Sequence, residues 1–90
     1  MSRLKDFCRL CEELDRAQFD VTEARYDGNH FGSWHVEVKR KGIRPRQISL
    51  DGRDGLLLVQ IQRSDGEWID EWHTLSADEQ LFDGIAARLV

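Results

Sequence analysis

The chain has 90 residues, 40% hydrophobic and 33% charged, with a formal charge of −4. That length supports one domain over residues 1–90 and one core, and leaves no room for two lobes with a cleft between them. No apolar run approaches the length that spans a bilayer, and the charged start Met1-Ser2-Arg3-Leu4-Lys5-Asp6 does not read as a secretion signal, so a cytoplasmic protein that avoids membranes is expected.

A helical period fills the first twenty residues. Leu4, Phe7, Cys8, Cys11 and Leu14 recur at spacings that place them on one side, with Leu10 widening the stripe. Arg9, Glu12, Glu13 and Arg16 fall largely on the other side, and the helix ends near Ala17 without a glycine cap. Cys8 and Cys11 have C-x-x-C spacing, but no second ligand pair completes a metal set and no strand precedes them as in a thioredoxin-like motif. They are read as small apolar groups facing the core.

Strand alternation takes over in the middle of the chain. Asp20 to Tyr26 is a weak first strand of undecided face, and Asp27 to Gly32 forms a hairpin loop. Trp34, Val36 and Val38 then alternate with His35, Glu37 and Lys39, which predicts a strand with one buried and one solvated face. Lys41-Gly42 turns the chain into Ile43 to Leu50, where Ile48 and Leu50 point inward. Pro45 lacks a backbone donor, so this strand is expected at an edge or beginning after the proline.

Leu56 to Ile61 is the most apolar stretch and is expected to be the central strand. If Asp65-Gly66 forms a two-residue hairpin loop, Arg63 faces Trp68, Ile61 faces Asp70, Val59 faces Trp72 and Leu58 faces His73. Leu57, Val59, Ile61, Trp68 and Trp72 then share the covered face with Trp34, while Gln60, Gln62, Glu67, Glu71 and His73 are solvated. Asp70 would lie among apolar residues and need a partner such as Arg63 or a place at the sheet margin. The aspartate-glycine pairs at 27–28, 51–52, 54–55 and 65–66 mark reversals, where glycine readily takes positive φ.

A second helical period opens at Ser76. Ser76-Ala77-Asp78-Glu79 reads as a capping box, and Leu81, Phe82, Ile85, Ala86 and Leu89 make an inner stripe interrupted by Gly84.

Few constellations point to chemistry. His30, His35 and His73 lack a recognised metal spacing and are read as solvated. Ser33, His35 and Asp27 have the residue types of a nucleophilic triad but no elbow motif, and the loop from Asp51 to Gly55 lacks the alternating oxygen ligands of a calcium site. No catalytic residue, metal or cofactor is assigned. Charge is uneven: Lys39, Arg40, Lys41, Arg44 and Arg46 crowd one segment, and acids dominate after Ser64. Aromatic residues are not interleaved with that basic run as in a nucleic-acid stacking platform.

The expected fold is α+β, a two-layer sandwich in the order α-β-β-β-β-β-α, with four or five mainly antiparallel strands and both helices on one face. The first functional expectation is a noncatalytic protein-binding module, an adaptor, inhibitor or antitoxin-like partner, using the exposed sheet face or the acidic C-terminal region. Its contact residues would be Glu67, Glu71 and His73, joined by Trp68 and Trp72 as an exposed aromatic anchor flanking Asp70 if the helices leave part of the covered face open, and its partner another protein or a second copy of itself. A nucleic-acid binder using Lys39, Arg40, Lys41, Arg44 and Arg46 is the alternative, and a small enzyme the third reading.

Overall fold

The period of two that begins at Trp34 runs through three consecutive strands. Trp34, Val36 and Val38, then Ile48 and Leu50, then Leu57 and Val59 are all at most 3% exposed. The computed structural model describes residues 3–75 and 85–89. Helix α1 spans Arg3–Arg16 and is followed by β1 (Asp20–Asp27), β2 (Ser33–Arg40), β3 (Ile43–Asp51), β4 (Leu56–Gln62) and β5 (Trp68–Thr74); residues 85–88 are helical. The strands form one antiparallel sheet in the order β1-β2-β3-β4-β5. Leu10 and Leu14 of α1, Phe19, and Ile85, Ala86 and Leu89 pack with the inward strand residues in a single core. Both helical segments therefore lie on one face, the expected two-layer α+β arrangement. The capping box at Ser76 to Glu79, with Leu81, Phe82 and Gly84, lies outside the described residues. Among the described residues, no helix is long and apolar enough to cross a membrane.

Helix α1 is rotated from the expected stripe. Its buried residues are Asp6, Leu10 and Leu14, Phe7 and Cys11 are partly buried against the core, and Leu4 and Cys8 are exposed. Aromatic packing sets this rotation: the Phe7 ring centroid lies 5.9 Å from that of Tyr26 and 6.1 Å from that of Trp34, distances at which tilted rings attract. Of the two cysteines only Cys11 packs as expected. Burial pushes its thiol pKa up, and the neighbouring Cys8 adds to the shift.

The helix closes without glycine. Gln18 adopts φ of 65°, so that its amide donates to the carbonyl of Asp15 and that of Phe19 donates to Leu14, each at 3.0 Å. This bond pair satisfies two terminal carbonyls and brings Phe19 onto Leu14 in the core.

The central strand is β3, not β4 as the apolar run suggested. Pro45 is accommodated by an irregularity: β2 and β3 pair Val38 with Arg46 but Arg40 with Ile43, leaving an extra residue on β3. The ladder with β4 starts only at Arg46 opposite Ile61. Pro45 thus sits in a bulge beside the ladder, where its missing donor breaks no sheet bond.

The β4–β5 hairpin departs from the expected register in an orderly way. Arg63 and Glu67 close the loop through Arg63 N to Glu67 O at 2.7 Å, and Gly66 N donates to Arg63 O at 2.9 Å. Ser64, Asp65 and Gly66 therefore make a three-residue loop with Gly66 at φ of 90°, the geometry of a turn followed by a left-handed residue. Gln62 then faces Trp68, Ile61 faces Ile69 and Gln60 faces Asp70, while Val59 still faces Trp72 and Leu58 faces His73. The additional loop residue shifts the register, and a bulge at Glu71 restores it. Trp68 and Asp70 consequently move to the uncovered face and Ile69 to the helix side. Asp70 finds its partner in Gln60, whose Nε2 donates to Oδ1 at 2.9 Å, so its carboxylate is not stranded among apolar groups.

Candidate functional site

The face turned away from the helices is built by the residues that alternate with the core. Two cross-strand rows run its full width. Arg25, His35, Ser49, Leu58 and His73 stand opposite one another strand by strand, and so do Glu23, Glu37, Gln47, Gln60 and Asp70. Charges here are mainly negative: Glu23, Asp27, Glu37, Asp51 and Asp70 against Arg25 and Lys39. None of the inner-strand members is fully buried, as expected for a face without a helical cover.

Two depressions interrupt this surface. The larger, about 680 Å³, lies where the β1–β2 and β3–β4 loops meet and is lined by residues including Arg25, Asp27, His30, Phe31, Ser33, His35, Ser49 and Arg53. Beside it the two loop backbones approach closely: a Cβ on Gly52 would fall 2.0 Å from the carbonyl oxygen of Phe31, which only glycine avoids. Phe31 itself has φ of 59° and is 66% exposed, an aromatic presented at the rim. The smaller depression, about 280 Å³, is lined by Thr22, Glu37, Val38, Lys39, Pro45, Gln62 and Trp68.

The residue types of a triad come close here without forming one. Asp27 Oδ2 contacts His30 Nδ1 at 2.5 Å, and its Oδ1 accepts from Asn29 N at 3.0 Å, so the carboxylate caps its own loop. Ser33 Oγ donates to the His30 carbonyl at 2.7 Å and accepts from Gly52 N at 2.9 Å. The hydroxyl staples the two loops together, and its proton points to a carbonyl rather than to His35. His35 instead lies 3.5 Å through Nδ1 from Gln47 Nε2.

The expected protein-contact residues are divided between the two faces. His73 is exposed and Trp68 half-buried on the open face, opposite Leu58 and Gln62. Glu67 is exposed in the turn, where its amide donates to Asp65 Oδ1 at 3.0 Å. Glu71 does not occupy the solvated face: the bulge directs it to Arg46, with Nε to Oε2 at 3.1 Å. Trp72 lies on the helix side, half-buried against the core, with the Arg88 guanidinium 5.4 Å from its ring centroid.

The basic segment does not present one surface. Lys39 is on the open face, Lys41 and Arg44 are exposed near the β2–β3 turn, and Arg40 leans over the Phe19 ring at 5.3 Å. Arg46 is 8% exposed; besides Glu71 it donates to the Arg44 carbonyl. A strand position between Val38 and Ile61 faces the core whatever its side chain, so Arg46 is satisfied by an ion pair inside the fold.

One grouping escaped the sequence reading. Glu23, His35 and Glu37 each offer a ligand atom, and these atoms lie within 4.8 Å of one another. The signal available was His35-x-Glu37 on a strand, since residues two apart share a face; the third member depends on the β1 register. Phe31 was missed as well, although an aromatic among turn-forming residues has no core to join. Comparison with protein-family models, with curated proteins and with solved structures finds no match to this chain.

Proposed function

We propose that the chain is a noncatalytic protein-binding module that meets its partner through the open sheet face. The observation that carries this reading is Trp68, a large aromatic that the shifted hairpin register sends to the face no described helix covers. Buried anchors in protein interfaces are enriched in tryptophan, because it adds much contact area for little lost conformational freedom. Leu58 lies two cross-strand pairs away on the same face, and between them the Gln60–Asp70 pair supplies polar, directional contacts. The excess of carboxylates on this face suits a partner that brings lysine or arginine, which would speed encounter and fix orientation.

Photo-crosslinking in the native host tests this reading. A photoreactive residue at position 58 or 68 is expected to capture one discrete protein, and the same residue at position 41, beside the β2–β3 turn, is expected to capture none. Trp68→Ala should abolish capture from position 58 while lowering unfolding free energy by no more than about 1 kcal/mol, since the side chain is only half-buried. Capture of the chain by itself, matched by a dimer in light scattering, would replace a foreign partner with a second copy. Equal capture from positions 41 and 68, or none from either open-face position, would refute the open face as the contact surface.

A further inference from the structure

Glu23 and Glu37 stand directly opposite each other on β1 and β2, and His35 is the next residue on the same face of β2. Like charges directly across a ladder repel, and nothing in the strand pattern requires an acid at either position. Arg25 answers part of this charge, with Nε 2.8 Å from Glu23 Oε1. Among the described residues, no salt bridge or side-chain hydrogen bond engages the Glu37 carboxylate; the Thr22 hydroxyl donates to its backbone carbonyl at 3.2 Å instead.

A second, independent observation lies beside this pair. Gln47 is directly across from Glu37 on β3, and its Oε1 is shielded from solvent without a hydrogen-bond partner, although its Nε2 lies against His35. A buried carbonyl oxygen left unpaired is costly and uncommon. With the amide turned end for end, Oε1 gains that partner from His35 Nδ1–H, and the ring's Nε2 lone pair is then left free for a metal ion.

We propose that Glu23, His35 and Glu37 form a binding site for a divalent first-row transition-metal ion such as Zn²⁺ or Mn²⁺. Two carboxylates and one imidazole on rigid adjacent strands are an N,O donor set that such ions accept, and the imidazole favours them over Mg²⁺ and Ca²⁺, which take oxygen alone. In the turned orientation Gln47 Oε1, accepting from His35 Nδ1–H, would fix the tautomer that ligates through Nε2, the role that outer hydrogen-bonding groups play around ligating histidines. Three protein ligands leave coordination positions for water or for a donor brought by another molecule. His35 lines the larger depression and Glu37 the smaller, so the ion would lie on the ridge between them. The site involves neither Trp68 nor Leu58 and stands or falls apart from the protein-binding reading.

The test is titration of metal-free protein with Zn²⁺ and, separately, Mg²⁺ by calorimetry, in a Cys8→Ser, Cys11→Ser background so that the helix thiols do not contribute. One Zn²⁺ per chain is expected, with a rise in melting temperature and no comparable response to Mg²⁺. His35→Ala and Glu37→Gln should each weaken binding at least about tenfold and remove the thermal shift. Mn²⁺ added to the unsubstituted protein gives a readout that needs no variant: paramagnetic broadening should centre on the His35 resonances and spare those of His73. Failure to saturate below about 1 mM Zn²⁺, binding that survives both substitutions, or broadening centred on His30 would each overturn the site.

Discussion

Arg46 shows how a charge can belong to the core face of a sheet. Its backbone position, between Val38 on β2 and Ile61 on β4, is inward, and its side chain is 10% exposed with Glu71 at 25%. Removing one member of such a pair strands the other in a poorly solvated place, which destabilises more than the pair itself contributes. Glu71→Ala is therefore expected to lower unfolding free energy by about 2 kcal/mol, read by urea denaturation. Glu67→Ala, in the exposed turn, should change it by less than about 0.5 kcal/mol. Equal effects would mean that the Arg46–Glu71 pair contributes nothing. In the sequence the two glutamates look alike, four residues apart in an acidic stretch, and only the bulge separates a turn residue from a structural one.

At the scale of elements, the strands that alternate cleanly were the legible ones. Trp34, Val36 and Val38 announce β2 and its buried face, and the Lys41-Gly42 turn and the inward Ile48 and Leu50 follow the same rule. What alternation does not encode is an insertion. Asp65-Gly66 is equally suited to a two-residue loop and to the end of a three-residue one, and Glu71 carries no mark of a bulge. One choice at the turn therefore decided the face of Trp68, Asp70 and Glu71 together. Deleting Ser64 tests what sets this choice: with Arg63 still paired to Glu67 across a two-residue Asp65-Gly66 turn, Ile61 is expected to stay opposite Ile69 and the bulge at Glu71 to persist. Nuclear Overhauser contacts between residues 61 and 69 would report the retained register, with Arg46 keeping Glu71. Contacts between residues 61 and 70 instead would show that the hairpin keeps a three-residue loop, Asp65 to Glu67, and dissolves the bulge. The grouping of Glu23, His35 and Glu37 was half legible for a similar reason, since His35 and Glu37 share a strand whereas Glu23 reaches them only through a β1 register that also contains an irregularity, between Val21 and Glu23.

For the whole molecule, the order of periods foretold the layers because each period has only one way to bury its apolar side. The sandwich is held by a core in which Leu57 and Val59 are fully buried, and Ile61, half-buried, continues their face. Val59→Ala is expected to lower unfolding free energy by at least about 1 kcal/mol through lost contacts and an unfilled volume. Leu58→Ala, on the open face, should have a smaller effect, and the reverse order in denaturation would invert the two faces. Which strand is central was not legible from hydrophobicity: β3 carries Pro45 and Arg46, yet it lies in the middle because the chain simply meanders from one neighbour to the next.

That meander has a consequence for the order in which the molecule is completed during synthesis. Every strand pairs with the one made just before it, so each ladder can close over a short loop while later residues are still being added. The layer beneath is different, because Leu10 and Leu14 share a cluster with Ile85 and Leu89 from the far end of the sequence. A ribosome can therefore release a paired sheet piece by piece, but the part of its apolar side that α1 does not cover stays open to water and to chaperones until Leu89 has cleared the exit tunnel.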